Sequence, residues 1–132
     1  MNKDLNLHRK APERTDTFFL ISNYNADPEL LLKYCADYHI YDQSDNALIK
    51  ARLGEKYLKI TFVENSGHSL TNYFRYFSHK YDSLPPLIML VKSNMIGRHL
   101  SQEYFDRVYS NKYFTPLYDD RKWSDKHGIA YQ

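Results

Sequence analysis

Three short apolar runs constrain this chain more than any other feature: "TFFLIS" at 17–22, "YLKITFVE" at 57–64 and "LIMLV" at 87–91. Each is too short for a core helix and is bounded by polar residues, so each reads as a strand. The last run does not alternate, which predicts a strand covered on both faces. In "YLKITFVE" the residues Leu58, Ile60 and Phe62 share one face. A shorter run, "HIYD" at 39–42, reads as a further strand. The intervening segments have helical period. Asp27 and Pro28 suit a helix start, and Leu30, Leu31, Tyr34, Cys35 and Tyr38 then fall on one face of a helix over 28–38. "QSDNALIKARLGEK" reads as a loop with one or two helical turns.

A second helix is predicted over 69–81, with Leu70, Tyr73, Phe74, Phe77 and Tyr81 as its buried stripe. Asn72, Arg75 and His79 form its polar stripe. Pro85 and Pro86 cannot continue it. Ser101 can cap a last helix, "QEYFDRVYS", and "YFTPL" at 113–117 reads as a final strand. Strand, helix, strand, strand, helix, strand is the order of an α/β domain: one open, mostly parallel sheet flanked by helices. That domain is expected over 17–118, between a loose polar arm at 1–16 and a polar tail at 119–132.

Bulk properties exclude several classes. The net charge of +2 is too small to imply a nucleic-acid partner. The aromatic and basic "NYFRYFSHKY" does not revive that reading, because its aromatics fall on the stripe expected to be buried. No run approaches the roughly 20 apolar residues of a membrane span. The opening "MNKDLNLHRKAPERTD" has no apolar signal core, so a cytoplasmic location, or the cytosol of a host, is expected. The single cysteine, Cys35, excludes an intrachain disulfide and reads as a buried thiol. The six histidines show no HxxxH or HxH spacing, which argues against zinc. There is no GxGxxG, P-loop or GxSxG. Tyrosine is abundant, at 13 residues, and suits half-buried walls or clefts.

Ligands of parallel sheets bind beyond the carboxyl ends of the strands. Four polar segments occupy those ends: Asn23-Tyr24-Asn25, Asp42-Gln43-Ser44, Asn65 to His68, and Lys92-Ser93-Asn94. The short asparagine side chains can bond a base or sugar edge, and Gly67 would let a ligand approach the backbone closely. A helix starting near Ser69 would aim free N–H groups at the same space, which suits phosphate. The same residue types also make turns with no ligand.

These segments carry a resemblance. Ile21-Ser22-Asn23-Tyr24-Asn25, Ile40-Tyr41-Asp42, Asn65-Ser66-Gly67, Tyr73, Tyr81-Asp82-Ser83-Leu84-Pro85 and the strand Leu87 to Val91 resemble the pattern of small GT-A-like proteins related to nucleotide-sugar glycosyltransferases. His99 stands near a histidine of that pattern. The resemblance spans about residues 17–118 and implies a nucleotide-sugar donor and a glycan or other hydroxyl acceptor. It implies a donor site at Asn23, Tyr24, Asn25, Asp42, Asn65, Gly67, His68, Lys92, Ser93, Asn94 and Arg98. The chain departs from the family at Ser69, where glutamate is frequent, and at Lys92-Ser93-Asn94, where most GT-A enzymes carry a metal-binding Asp-x-Asp. No cofactor is therefore expected, a divalent metal being the open alternative. Lys92, Arg98 and His99 are the cations available to stabilise a leaving diphosphate. A transferase commonly needs a base, and His99 with the paired Asp119 and Asp120 are the catalytic candidates, the solvated tail being the other reading of that pair. The chain is short for a complete transferase, so its acceptor half is expected to be reduced or supplied by another subunit in an oligomer. The alternative is a non-catalytic nucleotide- or glycan-binding module.

Overall fold

The computed structural model describes residues 13–117. They form one four-stranded, all-parallel sheet in the order β3-β2-β1-β4. The strands are β1 (Thr15–Asn23), β2 (Cys35–Asp42), β3 (Ile60–Phe62) and β4 (Ile88–Lys92). The helices are α1 (Glu29–Leu32), α2 (Ala47–Lys56), α3 (Ser69–His79) and α4 (Gln102–Val108). The open parallel α/β sheet expected from the sequence is present.

β1 is central because it can be buried on both faces. Phe18 and Leu20 point to one side, Phe19 and Ile21 to the other, as the two-residue period of a strand requires. The larger core lies under α1, α2 and α4, where Phe19 and Ile21 meet Leu31, Leu53 and Phe105. The smaller core lies under α3, where Phe18 and Leu20 meet Tyr41, Tyr73 and Tyr76.

Several elements differ from expectation, each for a physical reason. The helix over 28–38 is only the single turn of α1. From Cys35 the chain pairs with β1, Thr15 opposite Cys35 and Phe18 opposite Asp37, and this ladder overrides the helical spacing of Tyr34, Cys35 and Tyr38. Cys35 is buried as a strand residue, and burial pushes its thiol up to about 12. The segment after Asp42, expected to be a loop with one or two helical turns, holds the longer, ten-residue α2. Its start was marked by Asn46, whose side chain accepts the Leu48 and Ile49 N–H groups at 3.0 and 3.1 Å. β3 is three residues long, Leu58 lies outside it and is exposed, and of the expected apolar face only Ile60 is half-buried, Phe62 being exposed as well.

α3 is present but rotated. Asn72, Tyr73 and Tyr76 are buried, while Leu70, Phe74 and Tyr81 are exposed. Polar tips decide this orientation, because Tyr73 Oη donates to the Val91 carbonyl at 2.9 Å and Asn72 bonds Ser22 and Gln43. β4 is an edge strand with Leu90 exposed, so it is not covered on both faces. Residues 113–117 add no strand. Ser101 does cap α4, accepting the Tyr104 N–H at 3.1 Å.

Six of the eleven described tyrosines are buried, and four of these, Tyr34, Tyr57, Tyr73 and Tyr109, have tethered hydroxyls. Tyr34 donates to Asp106 at 2.6 Å, Tyr57 to Asp27 and Tyr109 to the Glu13 carbonyl. Burial pushes the Tyr57 phenol up, and the Asp27 carboxylate that accepts its proton adds to the shift. Among the described residues no helix is long and apolar enough to cross a membrane.

Candidate functional site

In a parallel sheet all strands end on one edge. β1 sends its chain to β2 on one side and lies beside β4 on the other, so a crevice opens between the ends of β1 and β4. A cavity of about 470 Å³ lies there, within the roughly 300–1,000 Å³ range of small-molecule sites. Its wall is built from the ends of β1 and β4, the loop before α3, the first turn of α3, and Gln43 and Arg98.

Of the residues named from the sequence as donor-site candidates, Asn23, Tyr24, Asn65, Gly67, His68, Lys92, Ser93, Asn94 and Arg98 line it. Asn23 is wholly buried at the end of β1, and its Nδ2 donates to the Ala26 carbonyl and to Asp42 Oδ1, both at 2.8 Å. Its Oδ1 has no partner. Lys92 is in register with Ser22, and the Ser93 N–H donates to the Ser22 carbonyl at 3.0 Å, which carries the β1–β4 ladder to the cavity. Asn65 Oδ1 accepts the Gly67 N–H at 2.9 Å, closing a short Asx turn. Gly67 sits at φ +81°, and a Cβ there would meet nothing within 4 Å. Glycine is therefore demanded by the backbone conformation and not by crowding against neighbouring protein atoms.

α3 starts at this wall. Its cap residue His68 makes no side-chain capping bond, so the first N–H groups of the helix lack a side-chain acceptor while Ser69 and Leu70 line the cavity. Among the described residues the lining contains no carboxylate, and neither Lys92 nor Arg98 has a carboxylate partner. The wall thus combines two cations and a helix N-terminus with short amides and hydroxyls, and it favours an anionic ligand rich in hydrogen-bonding groups.

Two expected binding residues act as braces instead. Asp42 is wholly buried and does not line the cavity. Its Oδ1 accepts from Asn23 and from Ser44 Oγ, the latter at 2.7 Å, so it ties the ends of β1 and β2 together. Asn25, at φ 47°, spends its side chain on Asp45 and on the Asn46 N–H. Asp45 also accepts the Tyr24 hydroxyl at 3.0 Å, which pushes that phenol up. His99 is exposed and does not line the cavity, and its backbone N–H donates to the Met95 carbonyl. Asp119 and Asp120 lie outside the described residues.

Sequence reasoning missed Ser22 and Asn72, and it named Gln43 only as part of a loop. Ser22 looked like an ordinary strand residue and Asn72 like a solvated one. A signal was present for Asn72, since it follows the loop by one helical turn and so lies under the helix start. Among the described residues no group of three His, Cys, Asp or Glu side chains could hold a metal ion. Comparison of the chain with protein-family models, curated proteins and solved structures produced no match.

Proposed function

We propose that this chain is a glycosyltransferase that binds a nucleotide-sugar in the β1–β4 cavity and transfers the sugar to an acceptor hydroxyl without a divalent metal. The observation that carries the proposal is the composition of the wall: Lys92, Arg98 and the N-terminus of α3 meet at the switch point of a parallel sheet, with no described carboxylate facing them. In this reading the diphosphate lies against those groups. When the bond between the anomeric carbon and the diphosphate oxygen breaks, the negative charge gathering on that oxygen is stabilised by fixed positive charge and N–H dipoles. The acceptor oxygen forms the new bond to the anomeric carbon, and its proton passes to a base. His68 is the imidazole on the described wall, and Asp119 and Asp120 are the other candidates. A cytosolic setting, where such donors are available, belongs to the same proposal.

A second reading, a binding module without transfer, is favoured by the position of His99 away from the cavity. The test is a titration of UDP-, GDP-, dTDP- and CMP-sugars against wild type and Lys92→Met, in EDTA and in manganese. Lys92→Met keeps most of the apolar stem and removes the charge. It is expected to cost about 2–5 kcal/mol of binding, equally in both media. Equal affinity of the two proteins, or binding by wild type only in manganese, would refute the metal-independent donor site. Binding without release of nucleoside diphosphate, with hydroxyl acceptors supplied, would establish the second reading.

A further inference from the structure

Beneath the cavity lies a side-chain network that sets which hydrogen-bonding groups its floor can offer. Asn72, buried in the first turns of α3, uses both hydrogens of Nδ2: one goes to Ser22 Oγ at 2.9 Å and one to Gln43 Oε1 at 3.3 Å. Its own Oδ1 has no partner, so the amide is held through its donors alone. The acceptors it engages both line the cavity. Ser22 accepts from Asn72 and so has its hydroxyl hydrogen left to give. Gln43, tied by its oxygen end, has its Nε2 hydrogens left for a ligand.

We infer that Asn72 sets the polarity of the cavity floor, making Ser22 and Gln43 hydrogen-bond donors, and that this floor is the subsite for a ligand oxyanion of the phosphoryl class. Lys92 is in register with Ser22, and the first turn of α3 lies on the same wall, so the donors, the cation and the helix N-terminus converge. Asn72 is a positioning residue, because it acts through Ser22 and Gln43. The inference rests on the cavity being the ligand site proposed above, and it assigns the diphosphate to this end of it.

Asn72→Asp replaces a double donor with a double acceptor. Ser22 must then turn its hydroxyl, and Gln43 must reverse its amide, to give hydrogens to the new carboxylate, leaving acceptors toward the cavity. Gln43→Glu keeps an oxygen for Asn72 and exchanges only the Nε2 end for oxygen. Inorganic pyrophosphate is the probe, titrated into the full chain by calorimetry, with melting curves for each variant. The expected result is a loss of about ten- to a hundredfold in pyrophosphate affinity for both variants. Should Asn72→Asp fail to fold, Gln43→Glu is read beside Gln43→Met, which removes the Nε2 donors without adding a charge. A loss in both marks the missing donors, whereas a loss in Gln43→Glu alone is repulsion of the anion and would overturn the inference. Gln43→Glu binding pyrophosphate as wild type does would overturn the inference and leave the nucleotide-sugar reading standing. Failure of wild type to bind pyrophosphate at millimolar concentration would also overturn it. Wild-type binding of pyrophosphate, weakened in the variants but with no binding of any nucleotide-sugar, would support the donor floor and refute the nucleotide-sugar reading.

Discussion

The two faces of the sheet are built to different specifications. On the face under α1, α2 and α4, Phe105 packs edge-on against Phe19 and Tyr34, with ring centroids 6.2 and 4.9 Å apart, inside a continuous apolar cluster. On the face under α3 the cluster is smaller, three of its five buried residues are tyrosines, and it shades into the Asn72, Ser22 and Gln43 network beneath the cavity. Area removed from water dominates the first face, and matched polar groups dominate the second. A helix that holds its place by hydrogen bonds also has its position dictated at the level of single atoms, which a binding wall needs. The thick face therefore buries the larger apolar cluster, and the thin face adjoins the candidate site.

The strongest way to break this comparison is Phe105→Ala. It should lose about 3–5 kcal/mol of stability, read from urea unfolding, with ligand affinity unchanged while the protein remains folded. An affinity loss as large as the stability loss would mean that the faces are coupled. Tyr73→Phe comes next. It removes the donor to the Val91 carbonyl, the residue before Lys92, and should cost about 1–3 kcal/mol while also weakening ligand binding. Stability lost with affinity intact would assign Tyr73 to packing alone.

Smaller effects sharpen the picture at the cavity rim and beside the thin face. Gly67→Ala should cost about 1–2 kcal/mol, because the position has positive φ and a Cβ meets no neighbour. Gly67→Asn, which tolerates that conformation better, should cost less, and equal losses for the two would point to a contact instead. The smallest effect expected is a dependence on pH through His39, whose ring lies near Tyr41 and Tyr76. Burial holds His39 below its ordinary value of 6.5, the positive charges of Lys80 and Lys59 add to this, and Asp37 opposes it. The unfolded chain thus takes up the proton more readily than the folded one. The stabilisation is complete above 6.5 and is lost as pH falls through the lower folded value. Melting temperature should decline on acidification below 6.5, and less steeply in His39→Gln; identical slopes would remove His39 from the account.

How far the sequence could be read differs between the same two faces. For the thick face, short apolar runs and a serine cap were enough to identify β1 and α4, because burial and capping are local rules with strong periodic signals. They failed where two rules overlapped. Cys35 to Tyr38 had helical spacing yet joined β2, since pairing with β1 satisfies a whole row of backbone groups at once. Gly54 and a polar composition hid α2, although Asn46 and the spacing of Ile49, Leu53 and Tyr57 marked it.

For the thin face, residue types alone determined that polar loops would follow the strands, and parallel topology then puts them on one edge. Asn23, Asn65, Gly67, His68 and Lys92 were legible for that reason, whereas Arg98 was named through the resemblance alone. Only the tertiary structure decided which polar residues turn inward. Leu70 and Phe74 looked like part of one buried stripe with Tyr73, yet they are exposed and Tyr73 is buried beside Asn72. Their partners, Ser22, Gln43 and the Val91 carbonyl, come from distant parts of the chain, and no local pattern reports a hydrogen bond between them. Asp42 was likewise recognisable as a polar strand end, but its role as a brace depends on Asn23 and Ser44 closing over it. Apolar periodicity is written along the chain, whereas the satisfaction of buried polar groups exists only once the strands and α3 have met.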